Sequence, residues 1–125
     1  DPNIANAVAK MLETVTSTEG TGSRARVANY RIAGKTGTSH KASASGYAAA
    51  RYVSSFAGFG PASDPRLVCV VVINDPTGDE YYGGLVAAPL FSEVMTGAMR
   101  ILNIPPDDYP SMLVAAGDSN SAAGN

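Results

Sequence analysis

The chain has 125 residues, 45% of them hydrophobic and 16% charged, with a formal net charge of −2. That length suits one small domain and that composition is globular, which excludes disordered and fibrous classes. No apolar run approaches the roughly 20 residues that cross a bilayer, and the basic residues lack the dense clustering of a nucleic-acid patch.

The first residues carry no signal-peptide pattern. Asp1 and Pro2 read instead as a helix cap and first helical position, as if the chain began inside a domain. From there to about residue 18, Ile4, Val8, Met11, Leu12 and Val15 recur at three- and four-residue steps, which predicts an amphipathic helix. Glu19-Gly20-Thr21-Gly22 ends it. Val27 to Gly34 reads as a strand leading into Lys35-Thr36-Gly37-Thr38. On a strand, Thr36 and Thr38 share one face and Lys35 takes the other, while Gly37 lets a ligand backbone lie close. A cation and two hydroxyls in this spacing make a compact carboxylate-binding edge.

The surrounding charge agrees. No acidic residue falls between Gly20 and Ser63, a window that holds six of the nine basic residues and His40, the single histidine. A positive segment in a mildly acidic chain fits an anionic ligand; solvated strand ends are the plainer account.

Ser39 to Arg51 is small and polar and reads as a mobile loop. Tyr52 to Gly60 predicts a second strand anchored by Phe56 and Phe59, and Pro61 to Pro65 a turn. Leu67 to Ile73 is seven apolar residues in a row, so both of its faces are expected to be buried in the middle of a larger sheet. Cys69, the single cysteine, lies inside that run as a small buried hydrophobe rather than a nucleophile. After the break at Asn74 to Asp79 comes an aromatic loop, Tyr81-Tyr82-Gly83-Gly84. A second helix is expected from about Val86 to Leu102, with Val86, Leu90, Val94 and Ile101 as its apolar stripe and Pro89 in its first turn. From Asp107 the composition becomes that of a flexible tail. The expected organisation is therefore a domain part at 1–106 and a tail at 107–125.

Helix, three strands and helix make an α+β layer structure with antiparallel strands, part of a larger sheet because so apolar an edge would aggregate. One His and one Cys far apart offer no metal-ligand spacing, and no cofactor motif is present. Gly34-Lys35-Thr36 matches the end of a phosphate-binding loop, but its first glycine would stand where Asn29 is, and no helix pattern follows.

Ile32 to Ser39, Phe56 to Ala62, Val70 to Pro76, Tyr81 to Gly84 and Ala87 to Phe91 together resemble the C-terminal half of a class B penicillin-binding protein, in particular the septal, cell-division type. The resemblance implies a partial penicillin-binding-protein and serine β-lactamase-like fold. It implies a peptidoglycan D,D-transpeptidase that works through a serine acyl-enzyme on D-Ala-D-Ala stem peptides and is acylated by β-lactams. It gives Lys35 a catalytic charge and hydrogen bond beside the active hydroxyl. Thr36, Gly37 and Thr38 become the carboxylate-binding strand, and the Thr38 N–H half of an oxyanion hole. Tyr52, Tyr81 and Tyr82 resemble an aromatic wall beside the bound side chain, and His40 a flanking basic residue. Half-buried tyrosines and a solvated histidine would look the same in sequence.

The family's Ser-x-x-Lys and Ser-x-Asn motifs occur nowhere in these residues. The nucleophile is accordingly expected in a missing N-terminal portion, and the chain alone is expected to be inert. The resemblance also implies cell-division partners and a place on the periplasmic face of the bacterial inner membrane. Two alternatives stay open: a serine β-lactamase, and a non-catalytic module that binds a peptide or carboxylate.

Overall fold

A computed structural model describes residues 1–42 and 51–109. Most of the expected 39–51 loop and most of the expected tail lie outside the described residues.

Helix α1 spans Pro2–Val15. The Asn3 N–H donates to the Asp1 carboxylate at 2.7 Å, and Pro2 sits where no helical hydrogen bond is lost. Thr16 closes it, and its hydroxyl donates to Ile32 O at 2.7 Å, tying the helix end to the start of the sheet.

The strand expected over Val27 to Gly34 is displaced. Val27 and Tyr30 close a tight turn, with Asn29 in the left-handed region at φ 68°. Asn tolerates that conformation, so apolar Val27 marks a turn packed into the core rather than a strand start. The first strand, β1, is Ala33–His40 and carries the Lys-Thr-Gly-Thr segment in its middle. It continues through Ser39 and His40, which sequence had placed in a loop.

Strands β2 (Tyr52–Gly60) and β3 (Leu67–Asn74) complete an antiparallel sheet in the order β1-β2-β3. Thr36 stands opposite Phe56 and Phe56 opposite Val71, while Lys35, Ala57 and Val70 form the adjacent row. Thr36, Phe56 and Val71 therefore share the inner face; Lys35, Ala57 and Val70 share the outer one.

The short helix α2 (Gly83–Val86) leads into α3 (Ala88–Ile101), with Pro89 in the first turn. Helix α3 covers the inner face through Ala88, Phe91, Met95 and Met99, all buried. The Phe56 and Phe91 rings meet edge to face with centroids 4.7 Å apart. The expected stripe of Leu90, Val94 and Ile101 faces away from the core: Ile101 is 76% exposed. Two stripes with the same helical spacing run along this segment, and the Phe56 contact selects the one containing Phe91.

Two further expectations change. Phe59 stands on the outer face and is half-buried, so Phe56 alone anchors the core from β2. Strand β3 buries only one face: Val71 is buried, but Val68 and Val70 are 78% and 61% exposed. It is an edge strand among the described residues, with nothing over its outer side. Helix α1 is likewise amphipathic but unburied, with Ile4 and Met11 exposed and Leu12 half-buried.

Beyond α3 the chain returns to the turn before β1. Tyr30 donates its hydroxyl to Ile104 O at 2.6 Å, and Asp107 accepts from the Arg31 N–H and the Ser63 hydroxyl, both at 2.7 Å.

Candidate functional site

Strand β1 has a neighbour on one side only among the described residues. The Lys41 N–H donates to Arg51 O at 2.9 Å, directly beyond the His40–Tyr52 pair. Hydrogen-bonded pairs in an antiparallel ladder alternate with non-bonded ones. Gly37 and Ser39 thus bond to β2, and Thr36 and Thr38 turn their N–H and C=O groups to the open edge.

Side chains converge on that edge. Lys35 starts from the outer face, but its ammonium curls round the strand to donate to Thr36 O at 3.1 Å and Thr36 Oγ1 at 3.3 Å. Thr36 and Thr38 line one side of a cavity of about 270 Å³, closed by Thr21, Tyr82, Gly83, Gly84 and Leu85. The Gly83 N–H donates to Thr38 Oγ1 at 3.0 Å. A hydroxyl whose lone pair is occupied in this way still has its own proton to offer an anion.

The Tyr81 to Gly84 segment fits β1 closely. A Cβ on Gly83 would lie 2.5 Å from Gly37 O and closer still to Ser55 O, and one on Gly84 would strike Thr21 O. Both glycines are therefore required by close backbone approach. The Ser54 hydroxyl, fully buried, donates to Tyr81 O and anchors the segment from β2. Gly37 itself makes room for the Ser55 hydroxyl, whose oxygen would stand 2.5 Å from a Cβ there.

The predicted aromatic residues come together as a row. His40 and Tyr52 have centroids 4.4 Å apart, Tyr52 and Tyr81 stack at 3.9 Å with 12° between planes, and Tyr81 and Tyr82 follow at 4.5 Å. The Tyr81 and Tyr82 hydroxyls share a hydrogen bond at 3.2 Å, and this contact raises the Tyr82 phenol above its ordinary range. His40 thus lies at the end of β1, against a tyrosine, rather than in a loop.

One group beside this row was missed in sequence. Asp75 accepts from Lys41 Nζ at 2.8 Å and from Arg51 Nε at 3.2 Å, and the two cations hold its carboxyl down at about 2. Asn74-Asp75-Pro76 reads as a strand breaker, and only the pairing of three strand ends reveals its partners. Burial raises the Cys69 thiol, in keeping with a packing role. Lys35 and Thr36 lie within a strand that runs on to His40, with no helix N-terminus after them, so the phosphate-loop alternative falls.

The sequence model of the penicillin binding protein transpeptidase domain matches residues 1–96. The chain belongs to that family. It is 52% identical over 108 residues to the probable peptidoglycan D,D-transpeptidase PbpC of Pseudomonas aeruginosa, covering 86% of this chain and 19% of that protein. It is 43% identical over 118 residues to the peptidoglycan D,D-transpeptidase FtsI of Escherichia coli, covering 94% of this chain and 19% of that protein. Among solved structures, the transpeptidase domain of Burkholderia pseudomallei penicillin-binding protein 3 superposes with a TM-score of 0.78 at 40% identity. That match covers 88% of this chain and 33% of that one. The chain thus spans about a fifth of the length of the curated relatives it matches, and its three antiparallel strands with flanking helices form part of a transpeptidase-domain fold.

Proposed function

We propose that this chain is the C-terminal part of a peptidoglycan D,D-transpeptidase and supplies the carboxylate-binding edge of its active site. The observation that carries this reading is the convergence of the Lys35 ammonium and the Thr36 and Thr38 hydroxyls on the open edge of β1. A stem peptide ending in D-Ala-D-Ala carries a free carboxylate next to its scissile bond, and a β-lactam carries one next to its strained amide. Thr36 and Thr38 donate to that carboxylate, and Lys35 balances its charge. Gly37, whose side-chain space is taken by the Ser55 hydroxyl, spaces Thr36 and Thr38 along the edge on which the peptide lies.

The nucleophile is a serine from the N-terminal portion of the domain. Its oxygen attacks the carbonyl of the penultimate D-Ala, and the Thr38 N–H donates to the oxyanion that forms. Collapse expels the last D-Ala, whose nitrogen takes up the proton that the serine hydroxyl gave to a base in the N-terminal portion, and leaves an ester on the serine. An amine of a neighbouring stem then displaces the serine and forms the cross-link. Tyr52, Tyr81 and Tyr82 present an aromatic wall to the substrate side chain, with His40 at its end.

The relatives are named peptidoglycan D,D-transpeptidases, which supports a role in cell-wall synthesis. The resemblance to the septal type extends the proposal to division, the periplasmic face of the inner membrane and division proteins as partners. Residues 1–106 belong to the transpeptidase domain in this account, and 107–125 form its tail.

The test uses the complete protein and a fluorescent penicillin. The wild type becomes covalently labelled, and Lys35→Ala lowers the labelling rate by about a hundredfold or more, as expected for lost stabilisation of developing charge. Labelling unaffected by Lys35→Ala would contradict the proposal.

A further inference from the structure

We propose that Asp75 is a positioning residue for the aromatic wall: it clamps the two ends of the β1–β2 connection and so holds Tyr52 against Tyr81. The proposal rests on the transpeptidase reading and adds a residue that neither its motifs nor its chemistry requires.

Three strand ends meet at this point. Lys41 follows β1 directly, Arg51 precedes β2 directly, and Asp75 follows β3 directly. The Asp75 carboxylate takes Lys41 Nζ at 2.8 Å and the Arg51 guanidinium through two of its nitrogens, Nε at 3.2 Å. The backbone repeats the junction: Lys41 N–H to Arg51 O and Asp75 N–H to Tyr52 O, both 2.9 Å. Asp75 sits at φ 52°, which turns its carboxylate back over the sheet end, a conformation Asp and Asn tolerate.

Tyr52 is the next residue in β2. Its carbonyl is held by Asp75, its neighbour Arg51 is held by the Asp75 carboxylate, and its ring lies between His40 and Tyr81. Lys41 and Arg51 stand opposite each other across the neck, where like charges repel. The carboxylate converts that repulsion into a bridge. Partly exposed ion pairs add little to global stability, so the clamp acts mainly on local geometry. A face-to-face stack at 3.9 Å is sensitive to small displacements, and a ligand side chain resting on it inherits that sensitivity.

The test is Asp75→Asn in the complete protein, which removes the charge but keeps a residue suited to the left-handed backbone. Acylation rates are measured with ampicillin, which has an aromatic side chain, and with the bare penicillin nucleus. The expected result is a fall of about tenfold for ampicillin and less than about twofold for the nucleus, with the melting temperature nearly unchanged. Arg51→Gln, which cuts the bidentate arm from the other side, is expected to show the same selective loss. Equal losses for both compounds, or no loss in either variant, would overturn the clamp. A wild-type protein that neither compound acylates would overturn the functional reading itself, and the clamp's role with it.

Discussion

The Gly83 N–H donates to Thr38 Oγ1 at 3.0 Å, joining the start of α2 to the middle of the edge strand. This bond orients the Thr38 hydroxyl by occupying one of its lone pairs. It needs a glycine, because a Cβ at 83 would meet Gly37 O at 2.5 Å. Gly83→Ala is therefore expected to push the Tyr81 to Gly84 segment off β1. In the complete protein it should slow penicillin acylation by about tenfold or more and cost about 1–3 kcal/mol of stability. Acylation kinetics and thermal melts on the same samples check both.

Thr38→Val removes the hydroxyl and leaves the N–H at the strand edge. The expected outcome is weaker carboxylate binding by about 1–3 kcal/mol, since a charged acceptor loses its donor. Measured as acylation against penicillin concentration, the loss should appear as a higher half-saturating concentration. The limiting rate should change less, because the Thr38 N–H, the proposed oxyanion donor, is untouched.

Asp75 is held at about 2 by Arg51 and Lys41, below the 3.8 of a free carboxyl. A carboxyl depressed in the folded state stabilises it above the unfolded value and loses that contribution as pH falls toward the folded one. Because these pairs are solvent-exposed, the difference in melting temperature between the wild type and Asp75→Asn should be small; it should be constant above about pH 5 and close between about pH 4 and about pH 2. Paired melts across that range test the sign.

The outer face of the sheet carries Val68 at 78% and Val70 at 61% exposed, and Leu12 of α1 lines a cavity of about 250 Å³ with Lys35, Ala57, Phe59 and Val68. An apolar edge strand of this kind is an aggregation site unless something covers it. In our account the rest of the transpeptidase domain does so. Val70→Lys should make the isolated chain more soluble and the complete protein less stable. Light scattering on the first and melting of the second measure the two opposite effects.

Much of this organisation is legible in sequence, and the exceptions share a cause. Strand β2 is read to the residue, because Tyr52 to Gly60 is bounded by Arg51 before it and Pro61 after it. The Lys35 to Thr38 segment suggests by residue type alone the carboxylate-binding role proposed for it, and its place in the middle of β1 could be read to within a few residues. Local pattern fails where two answers have the same period. Helix α3 offers Phe91, Met95 and Met99 or Leu90, Val94 and Ile101, and only the Phe56 ring across the sheet decides. The turn at Val27 to Tyr30 is hidden because Asn29 takes a left-handed conformation within an otherwise strand-like run. Asp75 is invisible because its partners lie 34 and 24 residues away and meet it only once three strands pair.

The most direct measurement mixes this chain with the N-terminal portion of its domain and a fluorescent penicillin, then locates the label by mass. The account predicts label on a serine of the N-terminal portion, only when both polypeptides are present, and reduced by Lys35→Ala. Covalent label on any serine of this chain, or labelling of this chain alone, would contradict it.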